Sequence, residues 1–191
     1  MSTTAASATL AALAEEIRTH RCDFEPCRTC TNFVPGEGSA TAALVLVGEA
    51  PGEQEDRSGR PFVGAAGRLL DRLLEGVGLA REAVFITNVL KARPPGNRDP
   101  RPAEVAHSLP WLERQLEAID PAVVALLGRH ALAAFVPELR ISKDHGRAVE
   151  QGGRWLLPLY HPAAALRVQP LRETLRHDFA AVPELLARAR S

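Results

Sequence analysis

Short apolar segments that alternate with longer amphipathic ones constrain the fold of this chain more than any other feature of its sequence. Residues 42–47 form an uninterrupted apolar run that Gly48 ends, which is typical of a strand buried on both faces. Residues 65–78 follow with leucines at helical spacing and favour a helix with one apolar side. The alternation continues along the chain: strands are predicted at 84–88, 121–128 and 155–160, and helices at 1–20, 105–119, 129–135 and 174–189.

This order predicts an α/β fold, because strands that alternate with helices form a mostly parallel sheet covered on both faces. We expect a three-layer sandwich around a central, mostly parallel four-stranded sheet. Pro158 in the last strand indicates an edge or a bulge, since proline lacks the N–H that a sheet ladder needs. A length of 191 residues suits one compact domain, in which an N-terminal helix and cysteine-bearing loop at 1–34 precede the main unit at 35–191.

Charge and hydropathy exclude several classes of protein. The chain has 23 Lys plus Arg and 23 Asp plus Glu, and this balance argues against a protein that coats DNA with a uniformly basic surface. Any contact with nucleic acid must therefore come from a local basic patch. No apolar run approaches the roughly 20 residues that cross a bilayer, and no secretory leader is visible, so we expect a cytoplasmic protein without a membrane partner.

Polar side chains follow three of the predicted strands at the points where those strands end. Glu49 comes after the first strand, Asn88 closes the second, and His161 follows the last. Each of these residues taken singly has an ordinary explanation as part of a surface turn. The carboxyl ends of parallel strands meet at one edge of a sheet, however, so a carboxylate, an amide and an imidazole are expected to converge there. The sequence thus predicts a ligand site at this edge.

These strand ends belong to longer segments, with two further segments between them: GEAPGEQED at 48–56, GRPFVG at 59–64, TNVLK at 87–91, RPPGNR at 93–98 and HPAAALR at 161–167. In this order the segments resemble the motifs of the type-4 uracil-DNA glycosylases. The resemblance runs from about Pro35 to the C-terminal helix and implies that 35–191 form a catalytic domain with the uracil-DNA glycosylase fold. It also implies the activity: such an enzyme flips uracil out of DNA and hydrolyses its N-glycosidic bond, which leaves an abasic site and initiates base-excision repair.

The resemblance, together with the chemistry of the side chains, gives roles to the residues around the base. The amide of Asn88 offers an acceptor and donors that match N3–H and O4 of uracil, whereas cytosine presents the opposite pattern. Phe62 is the expected surface on which the base stacks, and Ala50 is expected to line the base pocket.

Asn88 is also expected to be catalytic, and three further residues are expected to act on the glycosidic bond. By the resemblance, His161 would donate a hydrogen bond to uracil O2 and stabilise the departing anion. Glu49 would position water or stabilise the positive charge that develops on the sugar. Glu55 competes with Glu49 for that role and can also crowd the methyl group of thymine.

Basic residues near two of the motifs are expected to contact the DNA backbone, which would give the neutral chain one basic face. The predicted phosphate contacts are Lys91, Arg93, Arg98 and Arg101 after the second strand, and Arg167, Arg172 and Arg176 after the His-Pro motif. Leu166 is the candidate for a side chain that fills the gap left by the flipped nucleotide. We expect a monomer that binds uracil-containing DNA, single- or double-stranded.

Two other functions remain open at this point. One is a module of the same fold that binds damaged DNA with little or no catalysis, although such a module need not keep both Asn88 and His161. The other is a relative that becomes covalently attached to the abasic sugar. Those relatives carry an inserted basic segment with a nucleophilic histidine after the second strand, and residues 91–98 contain no such insertion.

The three cysteines bear on a cofactor. Cys22, Cys27 and Cys30 lie in one short stretch, and an odd number this crowded favours a metal site or free thiols over a disulfide framework. The resemblance implies a four-iron, four-sulfur cluster with four cysteine ligands, of which Cys27 and Cys30 match the first pair. The other two ligand positions hold Ala92 and Ser108, so we expect the cluster to be lost.

Three alternatives remain for these residues. His20 together with Cys22, Cys27 and Cys30 matches the ligand set of a structural zinc site. The cysteines can equally be unliganded thiols with no metal at all. A cluster that has three cysteines and borrows His107 is the third alternative.

Overall fold

The computed structural model describes residues 3–189. The ends of the units predicted at 1–34 and 35–191, residues 1, 2, 190 and 191, lie outside the described residues. The described helices are α1 Thr3–Thr19, α2 Glu25–Thr29, α3 Glu53–Ser58, α4 Ala65–Gly76, α5 Pro102–Ile119, α6 Arg129–Phe135, α7 Ile141–Asp144, α8 Pro162–Arg167, α9 Gln169–Phe179 and α10 Val182–Arg188. The described strands are β1 Glu37–Gly38, β2 Leu44–Gly48, β3 Phe85–Asn88, β4 Val123–Leu127, β5 Val149–Gln151 and β6 Arg154–Leu159.

The strands form one sheet in the order β1-β3-β2-β4-β6-β5. The four central strands are parallel, which confirms the predicted α/β sandwich around a parallel sheet. The short strands β1 and β5 add antiparallel edges that the sequence did not predict. They span two and three residues, too few to show a strand periodicity.

Successive residues of β2 enter opposite layers, because neighbouring side chains of a strand point to opposite faces of the sheet. Leu46 packs with Leu70 of α4 in a cluster that continues into the C-terminal helices. Val45 packs with Leu112 of α5 in a second cluster on the other face. Every residue of β2 is buried, as its uninterrupted apolar run predicts.

Two prolines shape the C-terminal third of the chain. Pro158 pairs with Leu126 of β4 on one side of β6. On the other side, the pairing with β5 stops at Leu156, so no strand pairs with Pro158 there and its missing N–H breaks no ladder. The helix predicted at 174–189 is two helices, α9 and α10, which is a correction. Pro183 cannot donate to the carbonyl four residues earlier, and the chain turns just before it.

The acidic segment after β2 is helical rather than a plain turn. Residues Glu53–Ser58 form α3, which Gly59 ends in the left-handed conformation with φ 71°. Asp56 of this helix is buried and accepts hydrogen bonds from the backbone N–H groups of Thr31 and Asn32. The helix therefore connects the cysteine-bearing loop to the edge of the sheet. Within residues 3–189, none of the helices is both long and apolar enough to cross a bilayer.

Candidate active site

A cleft of about 560 Å³ opens beyond the carboxyl ends of the parallel strands, where the sequence predicts a site. Strands β2, β3 and β6 lead into this cleft, so residues that are distant in sequence become neighbours in space. Predicted residues that line the cleft are Glu49, Ala50, Glu55, Phe62, Asn88, Arg98, His161 and Arg167.

Asn88 closes β3 with a buried acceptor that nothing else in residues 3–189 uses. The residue is only 1% exposed, and its Oδ1 has no hydrogen-bond partner among the described residues. A buried amide oxygen without a donor costs about 1–3 kcal/mol. Because Asn88 lines the cleft, this oxygen is suited to accept a hydrogen bond from a ligand N–H.

Gly48 lies opposite Asn88 in the neighbouring strand, at a position where a side chain would not fit. A Cβ there would lie 2.3 Å from Asn88 Oδ1 and 2.6 Å from Cζ of Phe62. Both distances are far below the 3.5–4.0 Å of favourable contact between heavy atoms. The glycine that ends the first apolar run therefore allows the amide and the aromatic ring to share one corner of the cleft.

Phe62 forms a wall of the cleft. Its backbone has φ 50°, which is uncommon for a residue other than glycine, and its ring stacks on His161 with centroids 5.6 Å apart. Arg81 donates hydrogen bonds to the backbone oxygens of Pro61 and Phe62 at 2.7 and 3.3 Å. These contacts hold the loop so that the ring faces both the core and the cleft.

His161 follows β6 at the start of α8 and is a neutral imidazole at physiological pH. Burial lowers the pKa of His161 to about 4, although the nearby carboxylate of Glu55 opposes the shift. Its Nδ1 accepts a hydrogen bond from the backbone N–H of Ala163 at 3.1 Å. The single proton of the neutral ring therefore lies on Nε2, which makes that atom a hydrogen-bond donor.

Glu55 lines the cleft but uses both carboxylate oxygens to hold the backbone. Oε1 accepts hydrogen bonds from the N–H groups of Val63 and Gly64, each at 2.9 Å, and Oε2 accepts one from Gly52 at 3.2 Å. This carboxylate thus joins the start of α3 to the loop that carries Phe62. A carboxylate engaged in this way is poorly placed to activate water.

The side-chain carboxylate of Glu49, like that of Asp99, lines the cleft and accepts no backbone hydrogen bond among residues 3–189. Burial raises the pKa of Glu49; His130 and Arg129 act to lower it and Asp99 acts to raise it. His130 Nε2 lies 3.9 Å from Glu49 Oε2 and 3.5 Å from Asp99 Oδ1. Arg129 forms an ion pair with Asp99 and donates from Nε to His130 Nε2 at 3.1 Å.

Sequence reasoning missed Asp99, Arg129 and His130. The last two follow β4 directly, after Gly128, so they lie at the fourth carboxyl end of the parallel sheet. The argument that identified Glu49 and His161 applies equally to that strand end, and the Gly-Arg-His sequence was the signal that could have revealed it.

Lys91 is not a DNA contact, and this corrects the prediction from its position after β3. The residue is completely buried. Its ammonium donates to Thr87 Oγ1 at 2.7 Å, to the backbone oxygen of Asn88 at 2.8 Å and to Gln115 Oε1 at 2.8 Å. Burial lowers the pKa of Lys91 to about 7. Its role is to fix the end of β3 from inside the protein.

The other predicted DNA-binding residues differ in their exposure and in whether other side chains already bind them. Arg167 is exposed at the rim of the cleft. Arg98 lines the cleft too, but it bonds Glu104 at 2.6 Å and Glu25 at 3.0 Å, and Arg93 donates to Asn97 at 2.7 Å. Leu166 is half-buried and packs against the first core cluster. Arg167 is therefore the predicted cation that is best placed to meet a phosphate.

The cysteines adopt an arrangement that the sequence did not predict. Cys22 and Cys27 form a disulfide, whereas Cys30 is a free thiol. The alternative of three unliganded thiols is therefore wrong for Cys22 and Cys27. Ala92 and Ser108 supply no thiolate, and a four-iron cluster needs a ligand for each iron, so the residues present do not fit that cluster. A possible metal-binding group has the composition His20, Cys22, Cys27 and His107, with His107 in the place predicted for Cys30.

Comparison with known proteins places this site in a family. The model of the uracil DNA glycosylase superfamily matches residues 35–185. A type-4 uracil-DNA glycosylase of Archaeoglobus fulgidus is 49% identical over 176 residues, which are 86% of each chain. The enzyme of the same name from Saccharolobus solfataricus is 45% identical, over 82% of this chain and 77% of the relative. That from Thermotoga maritima is 47% identical, over 72% of this chain and 73% of the relative.

Proposed function

The chain belongs to the uracil-DNA glycosylase superfamily, and from this premise we propose how its cleft removes uracil from DNA. It is a hydrolase that breaks the N-glycosidic bond between uracil and deoxyribose, the first step of base-excision repair. A base inside a duplex is inaccessible, so the nucleotide has to leave the stack before the cleft can enclose it. The proposal assigns a task to each group that the flipped base would meet.

The buried, unpartnered oxygen of Asn88 is the single observation that carries this proposal. Uracil offers N3–H to this acceptor, and the amide N–H of the same side chain can donate to uracil O4. Cytosine has an acceptor at N3 and a donor at C4, so it would leave Asn88 Oδ1 unsatisfied in the bound state. The cost of about 1–3 kcal/mol per unpaired group then favours uracil over cytosine.

His161 stabilises the leaving group in this proposal. Cleavage places negative charge on the uracil ring, and a donor aimed at O2 acts on that charge more strongly in the transition state than in the ground state. The imidazole is already neutral with its proton on Nε2, so no proton has to be moved before the reaction. The ring of Phe62 stacks on the imidazole of His161 and provides the apolar surface for the base.

Glu49 acts on the sugar side of the bond. Its carboxylate lines the cleft beside Ala50 and is not committed to backbone contacts among residues 3–189, unlike that of Glu55. In the ionised form it can accept a proton from the attacking water and stabilise the positive charge of the oxocarbenium-like sugar. Glu55 has a positioning role, because it fixes the loop that holds Phe62.

We further propose that Arg167 and Arg98 meet the phosphates beside the flipped nucleotide and that Leu166 enters the gap in the stack after a local shift of α8. The substrate is uracil-containing DNA, single- or double-stranded, and the enzyme works as a monomer in the cytoplasm. Residues 35–191 form the catalytic unit, with 1–34 as its N-terminal extension. For the cofactor, we propose that no four-iron cluster is present and that His20, Cys22 and Cys27 of the N-terminal region hold zinc together with His107 of α5.

A cleavage assay on a labelled oligonucleotide with one uracil tests the proposed function. The wild-type chain should produce an abasic site opposite guanine and in a single strand, whereas matched oligonucleotides with cytosine or thymine should stay intact. Binding of the uracil oligonucleotide without cleavage would favour the alternative, a module that recognises damaged DNA. A band in which protein and DNA remain joined after denaturation would indicate a covalent relative.

A further inference from the structure

Four metal-binding side chains converge on the face of the protein formed by the N-terminal loop and α5. One ligand atom each from His20, Cys22, Cys27 and His107 lies within 4.8 Å of every other. The Nε2 atoms of His20 and His107 are 3.0 Å apart. A tetrahedral zinc ion bonded at about 2.0–2.3 Å holds its ligand atoms roughly 3.3–3.8 Å apart, so the two sulfurs that the disulfide joins have to separate on reduction. The geometry therefore suits one small ion shared by all four groups.

Aromatic rings enclose this group on several sides. Trp111 lies edge-on to His20 with centroids 4.5 Å apart, and Phe24 lies 4.8 Å from His107. The ring of Phe33 also lies edge-on to His20, with the ring centroids 5.9 Å apart. All four candidate ligands are half-buried. Rings that pack in this way limit the rotamers of the histidines, and a rigid ligand set binds a metal ion with a smaller loss of entropy.

We propose that the reduced chain binds one structural Zn²⁺ through Cys22, Cys27, His20 and His107. Two thiolates and two neutral imidazoles are the ligand set of a closed, four-coordinate zinc site. Binding releases one proton from each thiol. Cys30 is not a ligand, because its thiol contacts the backbone oxygen of Cys27 at 3.7 Å and it does not belong to the converging group.

The disulfide between Cys22 and Cys27 and the zinc site use the same two sulfur atoms, so they exclude each other. Reduction of the disulfide by a low-molecular-weight thiol supplies two electrons and two protons and yields the two thiols, while the reductant is oxidised to its own disulfide. The zinc ion then replaces those protons. Both states close the loop of Cys22 and Cys27, but only the zinc state adds metal–ligand bonds to the contacts that already join that loop to His107 of α5.

The connection to α5 explains why the site can take over from an iron–sulfur cluster. His107 immediately precedes Ser108, the position at which the family resemblance expects a cluster ligand, and the cysteine-bearing loop supplies the first pair in both cases. A single zinc ion can therefore link the same two segments with four ligands. None of the four ligands lines the cleft that contains Asn88 and His161, so the site's contribution is to stability rather than to the reaction.

Metal analysis combined with a thiol count tests the proposal on the full chain purified under reducing, anaerobic conditions. After the reductant is removed, we expect about one zinc and no iron per chain, and three reactive thiols when the protein is denatured with a chelator present. One thiol and no zinc would show that the disulfide is the resident state and would overturn the proposal. About four irons per chain would overturn it as well.

Variants distinguish this ligand set from the one that includes Cys30. Cys22→Ser and His107→Ala should each lower the bound zinc at least about tenfold, whereas Cys30→Ser should retain it. Loss of zinc from Cys30→Ser with retention in His107→Ala would refute the assignment. Because a variant can fail to fold, wild-type protein stripped of metal should also be titrated with Co²⁺, whose visible absorption in a tetrahedral sulfur-containing site should appear in wild type and Cys30→Ser and disappear when Zn²⁺ is added.

Discussion

The ammonium group of Lys91 donates a hydrogen bond to the backbone oxygen of Asn88 at 2.8 Å. The residue proposed to read the base is therefore held from the interior by a buried cation. The same ammonium bonds Thr87 and Gln115, and both of those side chains bond the backbone oxygen of Pro35. This network fixes the end of β3, so the amide of Asn88 does not have to be ordered before it can meet the base in the proposed role.

Loss of the amide or the imidazole should slow the chemical step. Asn88→Ala and His161→Ala should each reduce the single-turnover rate of uracil removal by about 10²-fold or more, because each removes a contact to the developing charge. His177→Ala, an exposed change on α9, provides the control and should retain the wild-type rate. Near wild-type rates in both site variants would refute the assignment of these residues.

A methyl group at position 48 should damage the cleft. Gly48→Ala would place Cβ 2.3 Å from Asn88 Oδ1, so either the amide or the ring of Phe62 must move, and we expect at least about a tenfold loss of single-turnover rate. Gly76→Ala adds the same group where nothing lies within 4 Å and should leave the rate unchanged. Equal rates for the two variants would mean that the cleft does not depend on this close packing.

The buried Lys91 should make the free energy of unfolding depend on pH. With its pKa lowered to about 7, Lys91 is uncharged in the folded protein above that pH but still binds a proton in the unfolded chain up to about pH 10. The unfolded state then binds more protons, so stability should rise between pH 7 and 10, by up to about 1.4 kcal/mol per pH unit.

Denaturant unfolding of wild type and Lys91→Met at several pH values measures this effect. Between pH 7 and 10, the unfolding free energy of wild type should increase relative to that of Lys91→Met as the pH rises. Curves that stay parallel from pH 7 to 10 would show that Lys91 keeps its charge in the folded state.

Charges around Glu49 should shift the acid limb of the pH–rate profile in opposite directions. Burial raises the pKa of Glu49 above 4.5, so the limb should have its midpoint above that value. His130→Asn removes an electrostatic interaction that lowers this pKa and should move the limb to higher pH. Asp99→Asn removes a negative charge that raises it and should move the limb to lower pH.

Single-turnover rates between pH 4 and 9 provide the measurement, and Arg129 is left unchanged in both variants. Glu49→Gln should slow the reaction and abolish the limb. Shifts of the same sign in His130→Asn and Asp99→Asn would argue that a group other than Glu49 controls the acid limb.

Arg167 should contribute to the salt dependence of DNA binding. Its exposed side chain at the rim of the cleft is proposed to meet a phosphate, so Arg167→Ala should flatten the slope of log affinity against log salt by about one unit. Arg188→Ala removes a cation that stacks on Trp155 at the opposite end of β6 and should leave the slope unaltered. An unchanged slope in Arg167→Ala would place this residue outside the DNA interface.

Local sequence patterns determined the layers of the fold and the edge of the sheet at which the site lies. Apolar runs such as 42–47 predict strands because a strand between two helical layers must be apolar on both faces. Every residue of such a strand is then apolar, and this can be seen directly in the sequence. Glu49, Asn88 and His161 could be assigned to one edge because parallel strands align their carboxyl ends. The edge strands β1 and β5 and the helices α2, α3, α7 and α8 carry too few residues for such a pattern, and they were missed.

Only the tertiary structure decided the partners of Lys91 and of the cysteines. Lys91 follows a strand end and looks like a surface cation in sequence, but α5 brings Gln115 across the end of β3 and encloses its ammonium. Likewise, His107 of α5 reaches His20 although the two are 87 positions apart. A periodicity records which side of an element is apolar, whereas the contact between two particular side chains depends on how distant elements pack, and no local pattern encodes that.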